Sequence, residues 1–394
     1  MTITHMKGMG MRIWYLSVIV CVLGGTLLVG CPERVFNAMD VDVAAVDGSG
    51  NPTEIFITDL GSNTACEAGV DSKILRVDLD GNVLWTFDAA AGALQGAHNA
   101  DLNEAGDQMI ISDSCNHRVL VISYPAGDIL WDSSTDCPEL GLTFPNDANF
   151  LGNGWQDHLL ITVHDDQWVI EVDPLVCNGD GIRDEGEIVW SFGAEGEGRI
   201  VWDVDDKIRL LNPHNADILP NGNIIIADSG LDVVGPSRVI EVDIDYPGEP
   251  NKIVWAYKPL GDCTIKGVPD QACPALTWGR DADVECGDPA CDTGMVIVTG
   301  LHQTVGVERD LSEAPPPGEE YTRGRVVAYQ VQHGVGFCYD SDKIQQWDGG
   351  TNGGLGYFLV SNHGPLTFGS WVRVVPVGAF ASDAEYIWQL QGNR

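Results

Sequence analysis

The chain has 394 residues, enough for one large domain or two ordinary ones. Its 58 acidic residues far outnumber its 21 basic ones, for a formal net charge of −37, which leaves no basic footprint and excludes a nucleic-acid partner. The same excess favours solubility, points to bound divalent cations, and requires a local basic site of any anionic substrate.

The first 30 residues hold Lys7 and Arg12 and no acid. The uncharged run Ile13 to Gly30 that follows has the form of a secretory signal, a charged start before an apolar centre. Its 18 residues also sit at the lower limit for a membrane-crossing helix. The segment Leu28-Val-Gly-Cys31 resembles the end of a bacterial lipoprotein signal. That resemblance implies export to the cell envelope and a lipid anchor on Cys31, with residues 31–394 forming a single domain.

Behind the signal, short strands recur. The clearest unit runs from Leu211 to Trp255. His214-Asn-Ala-Asp217 opens it, Pro220-Asn-Gly222 supplies a tight turn, Ile224-Ile-Ile226 is a buried run, Val239 to Val242 alternates, and Ile253-Val-Trp255 closes it. Opening strands of the same form are His98-Asn-Ala-Asp101, Asn146-Asp-Ala-Asn149 and Arg280-Asp-Ala-Asp283, with Asp40-Val-Asp42 a weaker match. Closing strands with a tryptophan recur at Trp85, Trp131, Trp190, Trp255, Trp347 and Trp388. Four short strands per unit, repeated in this way, predict an all-β fold, a six-bladed β-propeller of four-stranded antiparallel blades. The blades fall at about 37–85, 98–131, 146–190, 212–255, 279–347 and 355–390, with the tryptophans packed between them and an N-terminal strand near Val41 to Val46 closing the ring. No helical period follows the signal. Asp262 to Ala275 and Val305 to Arg323 read as long loops on the propeller faces.

Nine of the 11 cysteines lie beyond Cys31, as fits an oxidising compartment. Cys263 with Cys273, and Cys286 with Cys291, bracket short loops and are expected to be disulfides. Cys66, Cys115, Cys137, Cys177 and Cys338 cannot be paired from sequence.

Two family resemblances follow from these units. Asp113-Ser-Cys-Asn-His-Arg-Val-Leu-Val-Ile122 resembles an NHL repeat, in which His117 belongs to a turn. His214-Asn-Ala-Asp-Ile-Leu-Pro-Asn-Gly-Asn-Ile-Ile226 with Ser237-Arg238 is similar to the hallmark of arylsulfotransferases. The second resemblance implies transfer of a sulfuryl group from an aryl sulfate to a phenol through a channel histidine, without a cofactor. His214 or His98 would be nucleophile or acid/base, and Arg238 and Asn215 would stabilise charge. Asn99, Asn146, Arg280, His302 and His363 are the expected substrate-binding positions. The chain departs from that family in being shorter and in lacking a His-His pair before Asp217. Two other functions remain open: a non-catalytic propeller that binds an envelope protein or glycan through its face loops, and a metal-dependent lyase or hydrolase with channel His and Asp as ligands.

Asn178-Gly-Asp-Gly-Ile-Arg-Asp-Glu-Gly-Glu187 resembles the later part of an EF-hand-like calcium loop, with Asn178, Asp180, Asp184 and Glu187 as oxygen ligands. Its first ligand position is Val176, which cannot coordinate. An acidic hairpin loop is the plain alternative.

Overall fold

The computed structural model describes residues 38–389 apart from 49–51, 62–65, 67–71, 89–93, 183, 194–209, 230–236, 246, 248–250, 258–263, 266–267, 273–278, 301–302, 316–319, 333–336, 345–356, 364–370 and 377–384. For the strands between 264 and 280, for 300, 303 and 304, and from 325 onward it gives the backbone alone. The described residues belong to one unit, 35–394. The segment read as a signal, and Cys31, lie outside them. Among the described residues, no helix is long and apolar enough to cross a membrane.

The fold is an all-β propeller of antiparallel blades built on four strands. The first sheet is β1 (Ala38–Val46), β2 (Pro52–Asp59), β3 (Lys73–Asp78) and β4 (Val83–Asp88). The second is β5 (Ala97–Leu102), β6 (Gln108–Asp113), β7 (Arg118–Ser123) and β8 (Ile129–Asp132); the third is β9 (Pro145–Phe150), β10 (Leu159–Val163), β11 (Trp168–Val172) and β12 (Ile188–Gly193). Next come β13 (Pro213–Ile218), β14 (Ile224–Asp228), β15 (Arg238–Asp243) and β16 (Lys252–Tyr257), then β17 (Thr264–Ile265), β18 (Val268–Ala272), β19 (Gly279–Cys286), β20 (Thr293–Gly300), β21 (Gln303–Asp310), β22 (Thr322–Arg323) and β23 (Arg325–Gln332). The last sheet is β24 (Phe337–Ile344), β25 (Tyr357–His363), β26 (Trp371–Pro376) and β27 (Glu385–Gln389).

The cores lie between sheets, as the doubly buried strands require. Phe56 and Ile74 of the first sheet pack on Ala100, Met109, Ile111 and Leu120 of the second. Trp131 joins the second to the third, and Trp255 joins the fourth to β19–β21. Each fully covered Ile, Leu or Val contributes about 1.5–3 kcal/mol. Trp255 has no exposure, and its indole lies so near Gly324 that a Cβ there would stand 2.5 Å from Cζ2. The Asn221-Gly222 turn forms as its residues dictate, with Gly222 at φ +87° and Leu219 N bonded to Asn223 O at 2.8 Å.

The prediction of six alike, four-stranded blades needs correction. β22 adds a fifth, parallel strand beside β16, and the β17–β18 hairpin joins β23, making a six-stranded sheet. The stretches read as face loops are therefore partly strand. Gln303 to Asp310 is the third strand of that sheet, because its alternation buries Val305 and Val307. The closing strand is β23, not Ile344 to Trp347. Ile344 instead ends β24, which supplies the inner strand of the last sheet; the N-terminal strand β1 heads the first sheet. A single helical turn at Ser133–Asp136 also interrupts the otherwise β reading.

The structure contains the expected Cys286–Cys291 disulfide and adds Cys66–Cys115 and Cys137–Cys177. Cys263 and Cys273 lie outside the described residues.

Candidate functional site in the propeller channel

The inner strands pack on one another in sequence: β1 on β5, β5 on β9, β9 on β13, β13 on β19, β19 on β24, and β24 on β1. Near the start of the first five, the pairing slips by one residue. The slip falls at Met39, His98, Asn146, His214 and Arg280. A bulge of this kind re-aims side chains and is common beside binding sites. The polar positions aligned in the sequence are thus bulge residues.

Regular pairing resumes at the next residue. Asp40, Asn99, Asp147, Asn215 and Asp281 occupy one register position, opposite Thr58, Ser112, Thr162, Ala227 and Thr299. Two residues on, at strand period, stand Asp42, Asp101, Asn149, Asp217 and Asp283. Between the two levels the alternate residues Val41, Ala100, Ala148, Ala216 and Ala282 are buried in the blades. In β24, Asp342 opposite Leu359 takes the second-level register.

Carboxylates therefore dominate the channel, and they perturb one another. Asp147 is 3 % exposed; burial first, then Asp217, Asp101 and Asp40, pushes its carboxyl well above the ordinary range against the Ala216 N–H. Burial and the Asp40 charge push Asp101 up to about 7, against the Asn99 amide. Burial and the Asp101 charge push Asp217 up to about 7, against the Asn215 amide. The hydrogen bonds explain how the acids are held. Asp40 Oδ2 accepts Ala100 N at 3.0 Å and Thr58 Oγ1 at 3.1 Å; Asp147 Oδ2 accepts Ala216 N at 3.0 Å. Asn149 Nδ2 donates to Asp147 Oδ2, Ala216 O and Asp217 Oδ1 within 3.1 Å. Asp147 Oδ1, Asn99 Oδ1 and Asn215 Oδ1 are buried with no hydrogen-bond partner. At the second level, a cavity of about 430 Å³ is lined by Asp101, Asn103, Glu104, Asn149 and Asn153.

The other mouth carries histidines. His214 is 4 % exposed and its Nδ1 lies 3.0 Å from Asn146 Oδ1. Its ring meets His164 at 4.9 Å; Phe144 meets both His164 and His98, at 5.6 and 5.3 Å. Phe144 holds a left-handed φ of +56°, a strained conformation for a bulky residue. His117 serves the adjoining turn, as its Asn-His-Arg context suggested, with φ +55° and Nδ1 accepting Phe144 N.

His98, Asn146 and His214 are thus gathered at one mouth, with Asn99 and Asn215 one step inside. Arg238 stands on β15, two strands out from the channel strand, and Asp228 holds its Nε at 2.9 Å. The same clip recurs as Arg118 with Asp113 at 2.8 Å. Arg280 lies at the β19 bulge and His363 in β25 opposite Phe337; only their backbone is described. His302 lies outside the described residues. Asp40, Asp101 and Asp217 were not singled out, and Asp147 only as the neighbour of Asn146, although the Asp/Asn-x-Asp/Asn spacing of each opening strand carried the signal.

Among the described residues, three metal-ligating side chains with all ligand atoms within 4.8 Å of one another occur at Cys137, Glu139 and Cys177. Those two sulfurs are joined as a disulfide and offer no thiolate. Among the described residues, no three channel carboxylates offer ligand atoms that all lie within 4.8 Å of one another.

No protein-family model matches the chain, and no curated protein matches it. Among solved structures, it is similar to hydrazine synthase of Kuenenia stuttgartiensis, with 9 % identity, TM-score 0.43, and 89 % of this chain and 80 % of that one covered. It is also similar to the β-propeller domain of Myceliophteria thermophila Cps50 (Swd1), with 9 % identity, TM-score 0.45, and 92 % and 88 % covered. A protein of unknown function from Bacteroides caccae gives 14 % identity, TM-score 0.44, and 76 % and 83 % covered.

Proposed function

We propose that the chain is an exported propeller, anchored through Cys31, whose channel is a divalent-cation site serving metal-dependent hydrolysis or elimination at the histidine mouth. The observation that carries this reading is the stack of buried carboxyls. Asp101, Asp147 and Asp217 all bind protons more tightly than ordinary Asp, first because they are buried and then because of a neighbouring carboxylate: Asp40 beside Asp101, Asp217 and Asp101 beside Asp147, and Asp101 beside Asp217. A bound cation removes that repulsion and uses the oxygens at Asp147, Asn99 and Asn215 that lack partners. Such a cation polarises a carbonyl or phosphoryl oxygen. His214 then has the role of proton acceptor. Because Asn146 Oδ1 can only accept, His214 Nδ1 is the donor in that contact, and in the neutral ring Nε2 is then the nitrogen that takes a proton.

The same geometry weighs against sulfuryl transfer. An aryl sulfate would enter a field of carboxylates, and the guanidinium expected to offset its charge is engaged by Asp228. Titrating dialysed protein with Ca²⁺, Mg²⁺, Mn²⁺ and Zn²⁺, with a chromogenic aryl sulfate and a phenol assayed in parallel, tests the reading. Binding of a hard cation that is lost in Asp147→Asn supports it. Turnover of the aryl sulfate without metal, abolished in His214→Ala, would return the site to the sulfuryl-transfer reading.

A further inference from the structure

A second cation site is suggested outside the channel, where Asp173 leads from β11 towards β12. Here the sequence motif was one ligand short. An EF-hand-like loop needs a carboxylate at its first position, and Val176 occupies it. The fold brings another carboxylate to the same place. Cys137 is bonded to Cys177 with a Cα–Cα distance of 5.1 Å, so the turn Pro138–Leu140 lies against the loop. Glu139 in that turn faces the Glu187 carboxyl, the last ligand position of the motif.

Glu187 has no exposure. Its Oε2 accepts Asp184 N at 2.9 Å, while its Oε1 is buried with no hydrogen-bond partner. Two carboxylates brought face to face need a proton or a cation between them. Backbone N–H groups, those of Gly179 and Gly181 among them, turn towards the Glu139 carboxyl. Asn178 and Asp184 are already joined, Nδ2 to Oδ2 at 2.8 Å, and Asp180 lies between them in sequence.

We propose that this loop is a calcium site, in which Glu139 supplies the carboxylate missing at Val176 and the Cys137–Cys177 disulfide holds it in register with Glu187. Hard oxygen donors fit Ca²⁺, with Asp180, Asp184 and the Ile182 carbonyl completing the set after the loop tightens. The site stiffens the loop and is independent of the channel.

Calcium titration calorimetry on the full chain tests this. The expected result is a saturable binding event. It survives Asp147→Asn and is weakened at least about tenfold in Glu187→Gln, Glu139→Gln and Asp184→Asn. The Cys137→Ser/Cys177→Ser pair should weaken it as well. Should Glu187→Gln fail to fold, Asp184→Asn at the exposed end of the loop decides. Unchanged affinity in Glu139→Gln and Asp184→Asn overturns the proposal. Loss of all calcium binding in Asp147→Asn overturns it too, while leaving the channel site standing. Binding that persists in Asp147→Asn but vanishes in Glu139→Gln upholds the loop and removes the channel reading.

Discussion

Asp147 Oδ2 accepts the backbone N–H of Ala216 at 3.0 Å, so a side chain of one blade's inner strand is bonded to the backbone of the next. Asp40 does the same to Ala100. A group placed for chemistry alone would not repeat in this way, and a group placed for folding alone would not leave Oδ1 buried without a partner. The level that locks adjacent blades also concentrates negative charge in the channel.

This charge should be visible in the pH dependence of stability. Asp101 and Asp217 titrate at about 7 in the fold and Asp147 is raised too; an unfolded Asp titrates near ~3.9. The folded chain thus binds more protons than the unfolded one across that window. The stabilising contribution is complete below about pH 4 and is lost as pH rises through about 7. Thermal melts of dialysed protein should give Tm falling from pH 4 to 8, with calcium removing most of the fall at the upper end. A Tm that rises across this range without metal would contradict the coupling.

Asp147→Asn keeps an oxygen for the Ala216 N–H and removes the charge. In metal-free protein at pH 7 it is expected to raise Tm, because repulsion from Asp217 and Asp101 is relieved. Asp147→Ala loses the hydrogen bond to Ala216 as well and should be less stable than Asp147→Asn by about 1–3 kcal/mol. Urea unfolding of the two variants checks the difference.

Elsewhere, Arg309 and Glu241 form a wholly buried pair, with Nη2 2.5 Å from Oε1. Asn223 Nδ2 adds a bond to Glu241 Oε1 at 2.6 Å. Glu241→Ala leaves the guanidinium buried without its counter-charge and should cost about 3–5 kcal/mol. The paired change Arg309→Met/Glu241→Leu should restore most of that loss. Equilibrium denaturation of the three variants measures it.

Trp255→Ala, which opens a void between the fourth sheet and β19–β21, should cost about 3–5 kcal/mol. Trp85 stands partly exposed with Nε1 on Pro125 O, and the same change there should cost less. Comparing the two melting curves tests whether the recurrent tryptophans are equivalent.

Much of the propeller was legible because each strand announces itself. Ile224 to Ile226, the Asn221-Gly222 turn and Val239 to Val242 are dictated by local chemistry. The fifth sheet misled because Arg325-Val-Val-Ala-Tyr329 resembles the third strand of other blades, whereas pairing with β20 goes to Gln303–Asp310 just across the short connection. The channel was legible only in part. His98, Asn146 and His214 stood out as polar residues at strand starts, and bulges explain their alignment. The acids beside them looked like ordinary strand polarity, since coupling among Asp40, Asp101, Asp147 and Asp217 exists only once the ring is assembled. Glu139 could not be matched to the calcium-loop motif, because the disulfide that delivers it joins residues 40 apart in sequence.

The most direct test of the channel is calcium binding to dialysed protein at pH 7, measured by calorimetry in a Glu187→Gln background that silences the loop. A binding event that Asp147→Asn weakens at least about tenfold is the expected result. Absence of binding in that background, or equal affinity with Asp and Asn at position 147, would contradict a cation site in the channel.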